Sequence, residues 1–266
     1  MPRQYTYGPF QSRRLNLSLG IDVLSKPKTC TYNCVYCELG ITSKDQLVSP
    51  EYRISKKPTN NFRKELLSIL KYVPHLNSIT FGYNGEPTIN ENLLDFLKIA
   101  STIREGLNWT EDNPKLTLFT NSSTLYLKEI RERVRQFELV LAKLDVATEE
   151  DFKRTNCPHK DTPDIKTIIN SIVELRKEMP KNHKLAIQCL ISNSYRNDFI
   201  PNNNLENITK LAYAIKKIKP DYVQVYSVAR IPAKYYVFSI DEKTKKEIVE
   251  KFKDIINDDN VEINYY

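Results

Sequence analysis

The sequence predicts an α/β protein in which helices cover a mainly parallel sheet. Three observations carry this. From about residue 62 onward, short apolar runs alternate with amphipathic helical stretches across brief polar turns, the signature of repeated strand–helix units. The strand runs, such as Leu139-Val140-Leu141-Ala142, are nearly continuous in apolar residues, as expected of strands covered on both faces. The chain has 266 residues, 40% hydrophobic and 27% charged, enough to hide roughly three quarters of its unfolded surface without disulfides.

In chain order, Leu19 to Leu24 is the first strand, and Phe62 to Tyr72 carries apolar residues at helical spacing. Ser78 to Tyr83 is a buried strand, Glu91 to Arg104 a helix, and Lys115 to Thr120 a strand. Tyr126 to Gln136 is a charged amphipathic helix before the strand Leu139 to Leu144. A long helix over 163–178 precedes the strand Lys184 to Ile191, and a helix over 205–217 precedes the strand Tyr222 to Val228. The last helix, 241–257, is followed by a short apolar end, Val261-Glu262-Ile263. The count is six βα units, about three quarters of an eight-unit barrel. No Pro- or Ser-rich linker divides the chain, and Asn202-Asn203-Asn204 reads as a surface loop. Residues 1–266 are therefore expected to form one domain, with a core over about 15–230 and a C-terminal helix and strand over about 241–265. No stretch approaches the ~18 uninterrupted apolar residues of a membrane helix. The start, Met1-Pro2-Arg3-Gln4-Tyr5, lacks the apolar core of a signal peptide, so a cytoplasmic protein with no membrane partner is expected.

Lys and Arg outnumber Asp and Glu by 40 to 33, a net charge of +7. A nucleic-acid partner is compatible with that surplus. The basic runs Lys128 to Arg135, Ala214 to Lys219 and Lys243 to Lys246 are candidate phosphate contacts. The same runs carry Glu at helical spacing and read equally as solvated faces.

Five cysteines, an odd number, argue against a disulfide framework in a reducing compartment. Cys30, Cys34 and Cys37 fall within eight residues, whereas Cys157 and Cys189 stand alone. Cys189 lies in a strand and reads as a small core residue. There are only six glycines. Gly40 closely follows the cysteine run, and Gly82 and Gly85 bracket a second candidate site. In a parallel sheet the carboxyl ends of the strands face the site. Those ends carry the 30–37 loop, Asn84-Gly85-Glu86-Pro87, Asn121-Ser122, Asp145, Gln188 to Ser192 and Tyr226 to Arg230.

The spacing C-x3-C-x2-C gathers three thiolates in one loop, a donor set for a soft metal ion or cluster. Structural zinc wants a fourth ligand, which Cys157 or His159 would have to supply. His75, His159 and His183 are scattered without metal-ligand pairing. A redox pair of Cys34 with Cys37 leaves Cys30 surplus. A four-iron cluster normally takes four cysteines, so three leave one iron open to an exogenous ligand.

With Tyr36 at the aromatic position, Cys30-Thr31-Tyr32-Asn33-Cys34-Val35-Tyr36-Cys37 resembles the C-x3-C-x-(aromatic)-C signature of radical S-adenosylmethionine (SAM) enzymes. The resemblance covers most of the chain, and a partial (β/α)6 TIM barrel is that superfamily's fold. It implies a [4Fe-4S] cluster on Cys30, Cys34 and Cys37, with SAM on the open iron. One electron, from a reduced ferredoxin or flavodoxin, would cleave SAM to methionine and a 5′-deoxyadenosyl radical that abstracts a substrate hydrogen. No catalytic residues beyond the cluster ligands are implied. Gly82-Tyr83-Asn84-Gly85-Glu86-Pro87 is similar to the superfamily's G-G-E-P element, with Asn84 in place of the first glycine. Its backbone and carboxylate hold the SAM amino group there, which places Asn84, Gly85, Glu86 and Pro87, with Tyr36, among the cofactor contacts. Gly85 would allow the close backbone approach. By position, Asn121, Ser122, Asp145 or Lys143, and Gln188 are expected to meet the SAM ribose and methionine. Arg230 would receive the SAM carboxylate or an acidic substrate, and the backbone at Val225 to Val228 the adenine.

Ser12 to Asp22, Ala147-Thr148-Glu149-Glu150 and Ala229-Arg230-Ile231-Pro232-Ala233 resemble one subfamily, mostly uncharacterised iron–sulfur oxidoreductases grouped with the wyosine (tRNA base) biosynthesis enzymes. That resemblance implies modification of a tRNA or other RNA base, and Arg13 or Arg14 near the cluster mouth, pairing with a carboxylate. The wyosine enzymes carry a second cluster on cysteines ahead of the radical SAM loop. Here no cysteine precedes Cys30, so that reaction itself is not implied. Relatives have Arg-Pro-His where Cys157-Pro158-His159 stands, which makes Cys157 incidental. Two other readings stay open: radical modification of a protein, peptide or small metabolite, and a non-catalytic iron–sulfur or zinc nucleic-acid-binding module. A binding module has no need of a SAM cleft.

Overall fold

In the computed structural model, which describes residues 3–24 and 27–266, the expected strands form one curled sheet. Met1 and Pro2 of the N-terminal run lie outside the described residues. The chain starts with a hairpin, β1 (Thr6–Ser12) and β2 (Asn16–Ile21), and continues through α1 (Asn60–Leu70), β3 (Ser78–Phe81), α2 (Leu93–Glu105), β4 (Lys115–Thr120), α3 (Lys128–Val134) and β5 (Leu139–Lys143). A short helix α4 (Glu149–Asp151) runs into a π-helical turn at Phe152–Asn156. Then come α5 (Ile165–Glu178), β6 (Lys184–Leu190), β7 (Ser192–Ser194), α6 (Leu205–Ile218), β8 (Tyr222–Tyr226), β9 (Val237–Ser239), α7 (Glu242–Ile256) and β10 (Glu262–Tyr265). The eight-stranded sheet runs β1-β2-β3-β4-β5-β6-β8-β10, parallel from β2 to β10, with only β1 antiparallel. The six strand–helix units of a partial barrel are present, and β10 adds a further parallel strand at one edge.

The helices start where short polar side chains cap free backbone N–H groups. Thr59, Asp164, Asn204 and Asp241 cap α1, α5, α6 and α7, accepting from Phe62, Thr167, Asn207 and Thr244. Each helix turns an apolar stripe onto the sheet, as Phe62, Leu66 and Leu70 of α1 do. The first strand spans Asn16–Ile21 instead of Leu19 to Leu24.

The hairpin strand β1 was not expected, because Gly8-Pro9 interrupts any apolar run. Tertiary contacts hold it. Tyr5 packs against Phe62 and Phe96 at 5.4 and 6.1 Å between ring centroids. The carboxylate of Glu65 on α1 accepts from the backbone N–H of Gln4, Tyr5 and Thr6 at 3.0, 3.1 and 2.7 Å, and from the Thr6 hydroxyl at 2.6 Å.

Residues 202–204 form a turn between β7 and α6, as expected of a loop, but Asn202 itself is not on the surface. It is fully buried, accepts from Ser192 N at 2.9 Å, and donates to the carbonyls of Asp145 and Leu190 at 3.1 and 2.8 Å. Backbone groups at buried strand ends need partners, and a side-chain amide can serve both kinds at once.

Facing the barrel lumen, β2 to β4 carry hydroxyls joined in a chain. Ser18 meets Thr80 at 2.7 Å, Thr80 meets Ser78 at 2.9 Å, and Ser78 meets Thr117 at 2.8 Å. On the β5 to β8 side the lumen carries Lys143, Gln188 and Gln224, which lie in register, and Tyr226 two residues beyond Gln224. Among the described residues no helix is long and apolar enough to cross a membrane.

The Glu65 tie gives a pH prediction. Burial raises its pKa, but the donors from Thr6, Gln4 and Tyr5 outweigh this and hold it below the ordinary 4.5. A depressed folded-state value contributes stability above the unfolded value, lost as pH falls through the folded one. Glu65→Gln is expected to cost on the order of 1 kcal/mol at pH 7 and to flatten the decline of melting temperature below about pH 4.5. Thermal unfolding between pH 7 and pH 3 reads both effects.

Candidate active site

The carboxyl ends of the parallel strands converge at one mouth of the barrel, and the Cys30–Cys37 loop is stitched across it. After β2 the chain returns at Thr29, which pairs in parallel with Gly85 just beyond β3. Thr29 N donates to Asn84 O at 2.9 Å, and Glu86 N donates to Thr29 O at 3.1 Å. Further along, His159 N donates to Thr31 O at 2.9 Å and Val35 N to Thr155 O at 3.0 Å. Asn33 N reaches the carbonyls of Asn156 and Cys157, and Lys234 N reaches Val35 O at 2.9 Å. The loop is thus fixed to the end of β3, to the π-helical turn after β5, and to the segment after β8.

Gly85 has φ +130°, and a side chain there would run into the Thr29 carbonyl. The close backbone approach that requires glycine is therefore made by the cysteine loop itself, where the sequence reading gave it to SAM.

Each loop sulfur accepts from a separate donor. Asn121 Nδ2 lies 3.5 Å from Cys30 Sγ, Asn156 Nδ2 lies 3.5 Å from Cys34 Sγ, and Lys28 Nζ lies 3.2 Å from Cys37 Sγ. All five cysteines are free. Burial pushes the Cys30 thiol up to about 11 and Cys34 well above its usual range, so thiolates there require a compensating bound cation. Among the described residues no three His, Cys, Asp or Glu side chains converge on one ion position. A four-iron cluster with one cysteine per iron does not ask for that convergence. Acceptor-only sulfurs with their own N–H donors suit such a cluster.

The two expected carboxylates are committed to the protein. Glu86 is fully buried. It accepts from Thr88 N and Oγ1 at 3.2 and 2.7 Å, Thr120 Oγ1 at 2.9 Å and Asn121 N at 2.6 Å. Asp145 accepts from the Tyr36 hydroxyl, from Leu190 N at 2.8 Å, Asn156 Nδ2 at 3.1 Å and Lys143 Nζ at 3.1 Å. Burial lowers the pKa of Lys143, but Asp145 and Tyr226 more than reverse this, so it carries a fixed positive charge at the end of β5.

Pro87 opens a buried 3-10 turn, and Asn84 donates its side-chain amide to Asp22. Asn121 faces Thr31 and Cys30. Ser122, with φ 70°, is fully buried and donates to the Lys143 carbonyl at 3.0 Å, so its hydroxyl turns into the protein. Gln188 donates to Gln224 at 2.8 Å inside the lumen. Arg230 stands exposed on the rim, paired with Glu38 at 2.8 Å. Of the two early arginines, Arg13 is exposed, while the Arg14 guanidinium lies 4.1 Å from the Tyr226 ring centroid. Cys189 is buried in β6. Cys157 lines a 410 Å³ cavity with Asn33, Leu47, Phe152 and His159.

Sequence reasoning missed Lys28, Asp22, Asn156 and Gln224. Lys28 lies two residues before Cys30 but outside the C-x3-C-x2-C pattern, while the topology alone brings Asp22 to Asn84, Asn156 to Cys34 and Gln224 to Gln188. The basic runs expected to reach phosphates are largely paired on the outer helices. Lys128 lies 3.9 Å from Glu132, Arg131 3.0 Å from Glu178, and Lys243 3.8 Å from Glu247.

No family profile matches the chain. A GTPase Obg of Brachyspira hyodysenteriae is 30% identical over 224 residues, covering 84% of this chain and 30% of that protein. A UPF0026 protein of Methanocaldococcus jannaschii is 29% identical over 259 residues, 95% of this chain and 71% of its own. Among solved structures, Streptococcus suis SuiB bound to S-adenosylmethionine superposes with a TM-score of 0.59 at 14% identity, covering 90% of this chain and 48% of that one. TYW1 with a lysine-pyruvate adduct bound superposes at 0.61 and 12% identity, covering 89% and 73%. The fold is the partial barrel of radical SAM enzymes. The chain spans about a third of the Obg relative's length and about half of SuiB's. These 266 residues contain no P-loop sequence G-x-x-x-x-G-K-S/T.

Gly85→Ala is expected to destabilise the protein by about 2 kcal/mol or more, through both the left-handed backbone and the Thr29 contact. It should also loosen the cysteine loop and lower iron uptake on reconstitution. Thermal unfolding and iron content measure the two effects.

Proposed function

We propose that this chain is a radical SAM enzyme whose cluster is held by Cys30, Cys34 and Cys37. The carrying observation is the three-cysteine loop, stitched across the mouth of a partial barrel with an N–H donor on each sulfur. A [4Fe-4S] cluster on three cysteines supplies an open iron for SAM and passes it one electron, giving methionine and a 5′-deoxyadenosyl radical, which takes a hydrogen atom from the substrate to leave 5′-deoxyadenosine and a substrate radical. The electron comes from a reduced ferredoxin or flavodoxin.

This chain's residues bind and orient. The backbone of Asn84, Gly85 and Glu86 faces the SAM amino group, while the Glu86 carboxylate keeps that turn in place. Lys143, fixed in its charged form, suits a carboxylate at the mouth, as Arg230 does at the rim. Tyr36, Pro87, Asn121 and Asp145 shape the wall between the cysteine loop and the lumen. Gln188 lies deeper, and Ser122 supports the wall from behind.

The chain is expected to act on a tRNA or other RNA base. Its +7 charge supports this reading. So do Tyr195 and Tyr235, which are 59% and 78% exposed beside Arg196 on segments that follow β6 and precede β9; exposed rings with cations are the means by which bases are stacked. The likeness of Ser12 to Asp22 and Ala229 to Ala233 to the wyosine-grouped proteins points the same way.

After anaerobic reconstitution with iron and sulfide and reduction in the presence of SAM, the native chain is expected to form 5′-deoxyadenosine. Cys34→Ala should form essentially none. A native protein that binds iron but never cleaves SAM overturns the reading, as does one that takes up zinc alone. For the substrate, RNA binding that weakens steeply with salt is expected. SAM cleavage without RNA affinity moves the substrate to a polypeptide or small metabolite.

A further inference from the structure

Arg14 is a cation without a counter-ion inside the barrel. It sits in the turn between β1 and β2, and its guanidinium stacks 4.1 Å from the centroid of Tyr226 at the end of β8. Its Nη1 is buried and donates to nothing. Among the described residues no carboxylate lies within ion-pair distance of Arg14, whereas Lys143, near the hydroxyl of the same ring, has Asp145 at 3.1 Å. Lys143 also donates to the Tyr226 hydroxyl at 2.8 Å and lies 5.1 Å from the ring centroid, so Tyr226 contacts two cations. Gln224, two residues earlier on the same strand face, accepts from Gln188; among the described residues its amide N–H groups donate to nothing.

An unpartnered buried donor is costly, and more so when charged. A guanidinium presents a planar fork that matches carboxylate and phosphate oxygens, and stacking on a ring holds the fork in one orientation. The neutral hydroxyls across the lumen are already bonded to one another and compete little for a ligand. We propose that Arg14, stacked on Tyr226, with the Gln224 amide two residues earlier on that strand face, is the subsite for an oxyanion, a carboxylate or phosphate group, of the molecule on which the enzyme acts.

Only the word substrate rests on the radical SAM reading. The test uses neither SAM nor iron, so the two can fail separately. The full chain is titrated calorimetrically at low ionic strength with inorganic phosphate and, in a second arm, with malonate. Saturable binding of at least one anion is expected, weakened at least about tenfold in Arg14→Gln and less in Arg14→Lys, which keeps charge without the fork. Tighter phosphate binding identifies a nucleotide-type phosphate as the source, and tighter malonate binding a carboxylate. Binding of neither anion overturns the proposal. So does an Arg14→Gln variant, folded by circular dichroism, that binds within about twofold of the native chain. Should that variant fail to fold, phenylglyoxal labelling of the native chain decides. Mass spectrometry is expected to show Arg14 protected by the bound anion, and protection elsewhere but not at Arg14 overturns the proposal.

Discussion

The backbone pairing of Thr29 with Gly85 is the contact on which the site depends. Between Asp22 and Thr59 the described residues form no helix or regular strand, and so long a connection holds its shape only if other elements satisfy its polar groups. The pairing at Gly85 fixes its start. Cys30 N then donates to Gln46 O and Val48 N to Cys30 O at 3.1 and 3.0 Å. Asn90, fully buried, donates to the carbonyls of Val23 and Lys56 at 2.8 and 3.0 Å. The loop is therefore built as a layer on the barrel's end, so three sulfurs in a local sequence pattern become three sulfurs in a fixed place.

Two buried carboxylates serve that layer from below. Glu86 ties the end of β3 to Thr120 and Asn121 at the end of β4. Asp145 ties the end of β5 to Leu190 of β6 and to Tyr36 of the cysteine loop. Their lone pairs are filled by protein donors, which offsets the cost of burying charge. What the mouth offers a ligand is then mostly backbone, amide and cation. Such a surface orients a polar, anionic molecule without carboxylates free for proton transfer.

Much of this was legible in the sequence because it is local. The six units follow from hydrophobic period and length, and the cysteine loop from spacing alone. The failures share a cause as well. Strands β1 and β7 lack an apolar run, one because of Gly8-Pro9 and the other because Ser192-Asn193-Ser194 is polar; β7 is set by the distant β9, and β1 by its hairpin partner β2 together with the distant Glu65. Ser122 stands at the right strand end, but the left-handed backbone there sends its hydroxyl inward. Position along a strand says which end a residue occupies and not which way it turns. Asn202 looked like a loop because asparagine runs usually are, whereas here its amide closes two strand ends.

The lumen carries the same division one level deeper. Along β2 to β4, Ser18, Thr80, Ser78 and Thr117 satisfy one another. A ligand gains little from that wall beyond shape, because each new bond would replace an existing one. Along β5 to β8, among the described residues, the donors are not all used: Arg14 Nη1 has no partner, and the Gln224 amide accepts from Gln188 but donates to nothing. A molecule entering the barrel therefore takes its polar contacts from one side, and that asymmetry sets which of its atoms faces the mouth. Arg14, Gln224 and Tyr226 lie outside the two motif loops, and Arg14 meets Tyr226 only because the half-barrel brings the first turn of the chain against its last inner strand.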